Sequence, residues 1–297
     1  MTESTETLIL AAGDDSEDPF IVGGALPAEH PGYIGRPADT EMLREVRAGH
    51  YVYLFAPSRT GKTSLIANVA GQLQQGDYVV ATLDMAQIGA RGGASDAGRW
   101  YYSIAYRLLR QLRIKFDLQS WWHDRAILSN RQRLFEFYIE VILRKTSGQL
   151  VVFIDEAQCI SELPFARQFL SSIRAAYNAR GSDPDFQRLS FVIVGSNSPS
   201  AFAMSDEESP FTISHKVILE DFTRKEVQQF ATRLSVSTEV REHVLDRLFF
   251  WTAGQPYLVQ KLARFINREG VSDDVDESVD RIVQQFFLGR AGLNSEP

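Results

Sequence analysis

Apolar and polar positions follow two rhythms that alternate along the chain from about residue 40 to residue 220. Short runs that are apolar throughout read as strands buried on both faces, and stretches with an apolar residue every three or four positions read as helices. A first helix spans about residues 40–48, Tyr51-Val52-Tyr53-Leu54-Phe55 is a strand, and residues 64–69 carry helical periodicity. Residues 78–83 form a second strand that ends at Asp84. A glycine-rich loop at 88–94 then leads into a long amphipathic helix with Tyr101, Ile104, Ala105, Leu108 and Leu112 on one face. The next helix starts near Ser129, where Gln132 completes a capping box, and carries Leu134, Phe135, Tyr138, Val141 and Ile142. Residues 150–154 are a fully apolar third strand running into Asp155-Glu156. Pro164 opens a helix with Phe165, Phe169, Ile173 and Tyr177 inward, closed by Gly181. Residues 191–194 are a fourth strand ending in Gly195-Ser196-Asn197, and residues 217–219 a short fifth. The loop between them, with Asp206-Glu207-Glu208, reads as a solvated tip. Strand and helix in alternation predict an α/β architecture, a parallel sheet covered by helices.

After Asp221 the strand rhythm stops. Thr223 and Glu226 form a capping box for a helix carrying Val227, Phe230 and Leu234, followed by helices at about 238–250, 256–268 and 276–288. The expected organisation is an acidic flexible tail over residues 1–20, an α/β domain over 21–221 and a helical subdomain over 222–297.

The chemistry concentrates in the loop Ala56-Pro57-Ser58-Arg59-Thr60-Gly61-Lys62-Thr63 between the first strand and its helix. Strand, glycine-containing loop and helix in that order cradle a phosphate, because backbone N–H groups converge on the anion and the helix N-terminus adds partial positive charge. Pro57, Ser58, Arg59, Thr60, Gly61, Lys62, Thr63 and Ser64 are the candidate nucleotide-binding segment. Lys62 is suited to the terminal phosphates, and Thr63 to the Mg²⁺ that bridges them. Ala56 stands where G-x-x-x-x-G-K-[ST] has its first glycine, a turn that alanine tolerates only with negative φ. A carboxylate at the end of a neighbouring buried strand is the natural second metal ligand. Asp155 fits, with Glu156 placed to polarise the attacking water. Ser196 and Asn197, after the fourth strand, fall at the same rim of the sheet and are suited to the γ-phosphate or that water.

Composition narrows the setting. A net charge of −7 over 297 residues argues against a broad nucleic-acid surface. A single cysteine, Cys159, forms no disulfide within the chain and fits a reducing cytoplasm. No apolar run reaches the length of a membrane helix, and the acidic N-terminus is unlike a secretory signal. The five histidines lack metal-ligand spacing, which leaves them surface or hydrogen-bonded roles, and Trp121 and Trp122 read as packing residues.

Together these residues resemble the bacterial AAA-like ATPases of the STAND class, signal-transduction ATPases with numerous domains. The resemblance runs from about residue 22 to residue 288. It is carried by residues 22–27, by Tyr33-Ile34-Gly35-Arg36-Pro37-Ala38-Asp39, by the GKT loop with Arg59, and by Phe153-Ile154-Asp155-Glu156. Residues 173–180, 210–213 and the Trp251-Thr252-Ala253-Gly254-Gln255-Pro256-Tyr257-Leu258 stretch complete it. The resemblance implies a P-loop NTPase fold with a five-stranded parallel sheet and a C-terminal all-helical lid. Tyr33, Ile34 and Arg36 look like the segment over the adenine and ribose, and Gln255 and Pro256 look like a lid motif that touches the nucleotide. It also implies ATP or ADP with Mg²⁺ as ligands, slow hydrolysis, and a switch that forms homo-oligomers with ATP and activates an effector, often in antiviral defence. Arg180, with Arg174 beside it, is the candidate arginine acting in trans on a neighbour. Such proteins usually continue into a winged-helix segment and sensor repeats. Here the chain ends at Pro297, so effector and sensor are expected from a missing part of the chain or from other chains. Two readings stand beside this one: a nucleotide-binding scaffold without meaningful turnover, and a DNA-acting ATPase of the origin-loader type.

Overall fold

The computed structural model describes residues 19–89 and 96–288. Residues 1–18 of the expected N-terminal tail and 90–94 of the glycine-rich loop lie outside the described residues, while Phe20, counted in that tail, is buried. By its contacts the chain forms two compact units, residues 25–226 and a helical unit that combines the segment up to residue 24 with residues 227–297.

In the larger unit, α1 (Pro37–Arg47) leads to β1 (Val52–Phe55), and α2 (Lys62–Gln74) to β2 (Tyr78–Asp84). Asp84 caps the short α3 (Met85–Ile88), its carboxylate accepting from the Ala86 and Gln87 N–H groups. Then come α4 (Ala97–Gln111), α5 (Leu118–Asp124) and α6 (Asn130–Phe137), the last continuing as a π-helical turn over Tyr138–Leu143. The Ser129–Gln132 capping box at the start of α6 forms as its sequence predicts. β3 (Gln149–Asp155), α7 (Gln158–Ser161), α8 (Ala166–Ala179), β4 (Leu189–Gly195) and β5 (His215–Lys216) complete the sheet.

All five strands are parallel, in the order β2-β3-β4-β1-β5. The strand that carries the phosphate loop is thus flanked by β4, and β4 separates it from β3 and its terminal acidic pair. Period-two alternation splits the central strands between two cores. Leu150, Val152 and Ile154, with Leu189, Phe191 and Ile193, face the side covered by α4 to α6 and α8. Val151, Phe153, Val192 and Val194 face the side covered by α1 and α2, where Met42, Val46, Leu65, Val69 and Leu73 meet them. Burial on both faces explains why β3 and β4 read as unbroken apolar runs. Trp121 and Trp122 lie on α5 within the first of these cores, as packing residues.

Two expected elements differ. The fifth strand is His215–Lys216 and not residues 217–219. Val217 and Leu219 are buried, but pairing with β1 stops at Tyr53↔Lys216, and the last ladder bond is Val217 N–H donating to the Tyr53 carbonyl. The helix expected over Val227, Phe230 and Leu234 is one α turn, α9 (Arg224–Val227), followed by a 3₁₀ segment, Gln228–Arg233. The three-residue step from Val227 to Phe230 matches that tighter winding. The Thr223–Glu226 capping box is present, with Glu226 Oε2 accepting from Thr223 N–H at 2.7 Å.

In the helical unit, α10 (Thr238–Thr252), α11 (Pro256–Glu269) and α12 (Val275–Val283) surround Val244, Leu248, Val259, Leu262, Ile266 and Val279. Phe20 packs beside Phe230 in the same unit. Asp280 on α12 takes hydrogen bonds from Arg247 and Trp251 on α10.

Candidate phosphate-binding site

The chain leaves β1 at Phe55 and enters α2 at Lys62, and the loop between closes on itself. Ala56 N–H donates to the Gly195 carbonyl at 3.1 Å, so the loop starts tied to β4. Left-handed φ angles fall at Arg59 (66°) and Gly61 (87°), and Ala56 is not among the positive-φ residues. That placement is why alanine is accepted at the first position of the pattern. The Thr60 hydroxyl donates to the Pro57 carbonyl at 2.9 Å and tightens the turn. Lys62 arches back over the loop, its Nζ donating to the carbonyls of Ala56 (3.0 Å) and Pro57 (2.8 Å). Burial lowers its ammonium pKa, and the nearby Glu156 and Asp155 charges act in the opposite direction.

Thr63 begins the exposed side of α2, and its hydroxyl donates to Asp155 Oδ2 at 2.9 Å across 92 residues of sequence. The other carboxylate oxygen, Asp155 Oδ1, accepts the Glu156 N–H at 2.9 Å. Burial pushes the Asp155 carboxyl up, and these two hydrogen bonds oppose the shift. One rim of the sheet therefore holds Lys62, Thr63 and Asp155 together.

Glu156 follows with a φ of 55°, a left-handed conformation that non-glycine residues seldom adopt. Its Oε2 accepts a short hydrogen bond from Gln158 Nε2. Gln158 Oε1 in turn accepts the Ser196 N–H at 3.0 Å. Gly195 leaves room for this bridge, since a Cβ there would lie 3.1 Å from Gln158 Oε1 and 2.9 Å from the Phe55 ring. Ser196 and Asn197 are half-buried just past the end of β4, beside the start of the loop. Nothing in the apolar and polar pattern marks Gln158; its signal is only its place two residues after the glutamate.

The segment before α1 grips the loop from another side. Arg36, buried at the N-cap of α1, donates from Nη1 to the carbonyls of Thr60 (2.8 Å) and Glu220 (3.2 Å) and lies over the Phe222 ring. Its Nη2 approaches Gly61 so closely that a Cβ there would sit 3.0 Å away. Asp39 organises this arginine's backbone, accepting from Arg36 N–H at 2.9 Å and from the Tyr33 hydroxyl. Burial and the Asp39 charge hold the Tyr33 phenol well above its ordinary pKa. Ile34 is buried, and Tyr33 half-buried. Ser64 uses its hydroxyl to accept the Leu26 N–H at 2.9 Å, pinning the incoming chain to α2.

A family model for the AAA-like domain matches residues 21–275. The chain belongs to that family. This AAA-like domain is 33% identical over 291 residues to an uncharacterised WD repeat-containing protein of Synechocystis sp., a match covering 94% of the chain and 24% of the relative. It thus spans about a quarter of the length of that curated relative. Among solved structures it resembles a Walker-type ATPase of Pyrococcus abyssi, with a TM-score of 0.57 and 17% identity over 88% of this chain and 75% of that one. It also resembles the Aeropyrum pernix ORC2 protein in its ADPNP–ADP complexes, with a TM-score of 0.56 and 16% identity over 95% and 75% of the two chains. These likenesses establish a P-loop ATPase fold, as its own strand order and loop geometry do.

Other candidate residues of the AAA-like domain sit elsewhere. Gln255 is the N-cap of α11, its side chain accepting the Leu258 N–H at 2.7 Å, and Pro256 is the first helical residue; both belong to the helical unit. Ala253 (φ 48°) and Gly254 (φ 81°) reverse the chain just before them. Arg180, the candidate trans arginine, is engaged within its own chain. Its guanidinium donates to the carbonyls of Gly49 (2.8 Å), Phe186 (3.3 Å) and Leu189, and stacks on Tyr51. These partners lie where β1 and β4 begin, the rim opposite the phosphate loop, so the side chain is consumed in closing that end. Arg174 is likewise engaged, donating to the Ser209 carbonyl at 3.0 Å and to Thr212.

Two of the five histidines come together on Glu45. Its Oε2 lies 2.7 Å from His50 Nδ1 and 3.2 Å from His215 Nδ1. The rings are stacked at 4.2 Å and 14°, and one ligand atom from each of the three residues lies within 4.8 Å of the others, a spacing that a metal ion could also use. A hydrogen-bonded role fits them. Among the described residues, no helix is long and apolar enough to cross a membrane.

Proposed function

We propose that this AAA-like domain binds ATP with Mg²⁺, hydrolyses it slowly, and uses the nucleotide state as a switch. The single observation that carries the reading is the 2.9 Å contact between Thr63 and Asp155 beside Lys62 at the rim of the sheet. Hydroxyl and carboxylate are hard oxygen donors, a set that suits Mg²⁺, with nucleotide phosphates completing the ligands. Bound there, Mg²⁺ would neutralise charge on the phosphate oxygens. Backbone N–H groups of residues 58–64 and the start of α2 favour the β- and γ-phosphates. Lys62 moves its donors from loop carbonyls to phosphate oxygens. Glu156 orients the water that forms a bond to the γ-phosphorus as the bridging bond to the β-phosphate breaks. ADP departs with that electron pair, and the water's proton passes to the carboxylate or to the released phosphate.

The wider role is that of a STAND-type switch in signalling or antiviral defence. ADP would hold a monomer, and ATP would favour assembly with a neighbour's arginine reaching the γ-phosphate. Support comes from the resemblance around Tyr33 to Asp39 and Gly254 to Pro256, and from a relative whose name includes WD repeats. In that reading an effector or sensor lies in further sequence or in a partner, and the setting is cytoplasmic.

The test is nucleotide binding and single-turnover hydrolysis by the purified chain. Lys62→Ala should lose ATP binding, and Glu156→Gln should bind ATP and retain it, with hydrolysis much slower than in the parent but still measurable in single turnover. Parent-like binding and turnover by both variants overturns the assignment. Binding without turnover by the parent leaves a nucleotide-binding scaffold.

A further inference from the structure

Two strand ends at the phosphate rim carry groups suited to the same event. Glu156 after β3 is placed for the attacking water, and Ser196-Asn197 after β4 for the γ-phosphate. One side chain touches both. Gln158, half-buried in the first turn of α7, donates from Nε2 to Glu156 Oε2 and accepts the Ser196 N–H on Oε1 at 3.0 Å. An amide is the group this position needs, because it offers a donor and an acceptor at once. The bridge is built into the backbone around it. Ala157 N–H donates to the Val194 carbonyl at 2.9 Å, which fixes the start of α7 against β4. Gly195 is small where a side chain would push into Gln158 Oε1. Glu156 itself has a left-handed backbone, φ 55°, between β3 and α7.

We infer that Gln158 is a positioning residue for hydrolysis: its amide holds the Glu156 carboxylate in one orientation and ties that orientation to the backbone of Ser196. The inference rests on the ATPase reading and names the part that couples the base to the β4 rim. Gln158 acts through Glu156 and touches no reacting atom. A shift of Ser196 when the γ-phosphate arrives or leaves is passed along the amide to Glu156, so the base is aligned when the phosphate is in place.

The experiment measures ATP affinity, single-turnover rate and its pH profile in the parent chain, Gln158→Ala, Gln158→Glu, Glu156→Gln and the double variant Glu156→Gln with Gln158→Ala. For Gln158→Ala the expected result is at least a tenfold slower turnover, with ATP affinity within twofold of the parent. Gln158→Glu keeps the acceptor for Ser196 but sets a second carboxylate against Glu156. Its pH–rate profile should move to higher pH, because a like charge disfavours ionisation of the base. Adding Gln158→Ala to Glu156→Gln should slow turnover no further, the signature of two residues acting as one unit. A Gln158→Ala rate less than tenfold below that of the parent overturns the inference. So does a loss of affinity as large as the loss of rate, or an additive double variant. If the parent chain neither binds nor hydrolyses ATP, the ATPase reading itself fails and this inference falls with it; a functioning parent with indifferent Gln158 variants defeats the inference alone.

Discussion

At the scale of single residues, the site draws on buried charged groups, Lys62 and Asp155, whose surroundings shift their protonation. Asp155 is the clearest case, its carboxyl pushed up by burial. A carboxyl whose folded-state pKa is raised binds its proton more tightly in the folded chain. Stability is therefore lost as pH rises above the ordinary value of 3.8 and through the shifted one, and at neutral pH the charged form is a cost. Asp155→Asn should accordingly melt higher than the parent near pH 7 without nucleotide. The gap should narrow as pH falls toward 4, and thermal melts across pH would show it. The same variant should lose its thermal response to ATP with Mg²⁺. Arg36 gives a second expectation. Its guanidinium spans the Thr60 and Glu220 carbonyls, and hydrogen bonds to charged groups are worth about 1.5–3 kcal/mol each. Arg36→Ala should weaken ATP binding by roughly 10- to 100-fold through a loosened loop. Arg36→Lys, with a single point of charge in place of the fork, should recover only part of it. Equilibrium titration with a fluorescent nucleotide would read both.

At the scale of elements, legibility in the sequence tracked how much of each element was decided locally. The unbroken apolar runs of β3 and β4 announced themselves because both faces are buried, and the Ser129 and Thr223 caps were visible because a cap is a contact three residues long. The Lys62–Thr63 loop was legible for the same reason. What could not be read was set by neighbours distant in sequence. The fifth strand is an edge strand that pairs with β1 only at Val52 and Tyr53, and Arg180 faces the opposite rim because Gly49, Phe186 and Leu189 meet there. Gln158 was hidden since its two partners belong to different strand ends. An element-level test is Phe153→Ala in β3, a fully buried ring between α2 and the sheet. It should cost about 3–5 kcal/mol, seen as a lower denaturant midpoint with an unchanged slope.

At the scale of the whole molecule, an AAA-like domain that acts as a switch must couple its nucleotide to its assembly. ATP with Mg²⁺ at 100 times its dissociation constant should stabilise the fold by about 2.7 kcal/mol, a rise in melting temperature that Lys62→Ala would lack. Light scattering with ATP and Glu156→Gln should show a heavier species than with ADP. Equal masses in the two states would remove the assembly part of the proposed role and leave the binding part standing.

The left-handed φ at Glu156 has a practical corollary. Substituting glycine there removes a local penalty of the order of 1–3 kcal/mol, and asparagine relieves part of it. A directed-evolution campaign selecting only for heat tolerance would be drawn toward Glu156→Gly. The variants it enriched would be robust proteins with the base of the proposed reaction deleted.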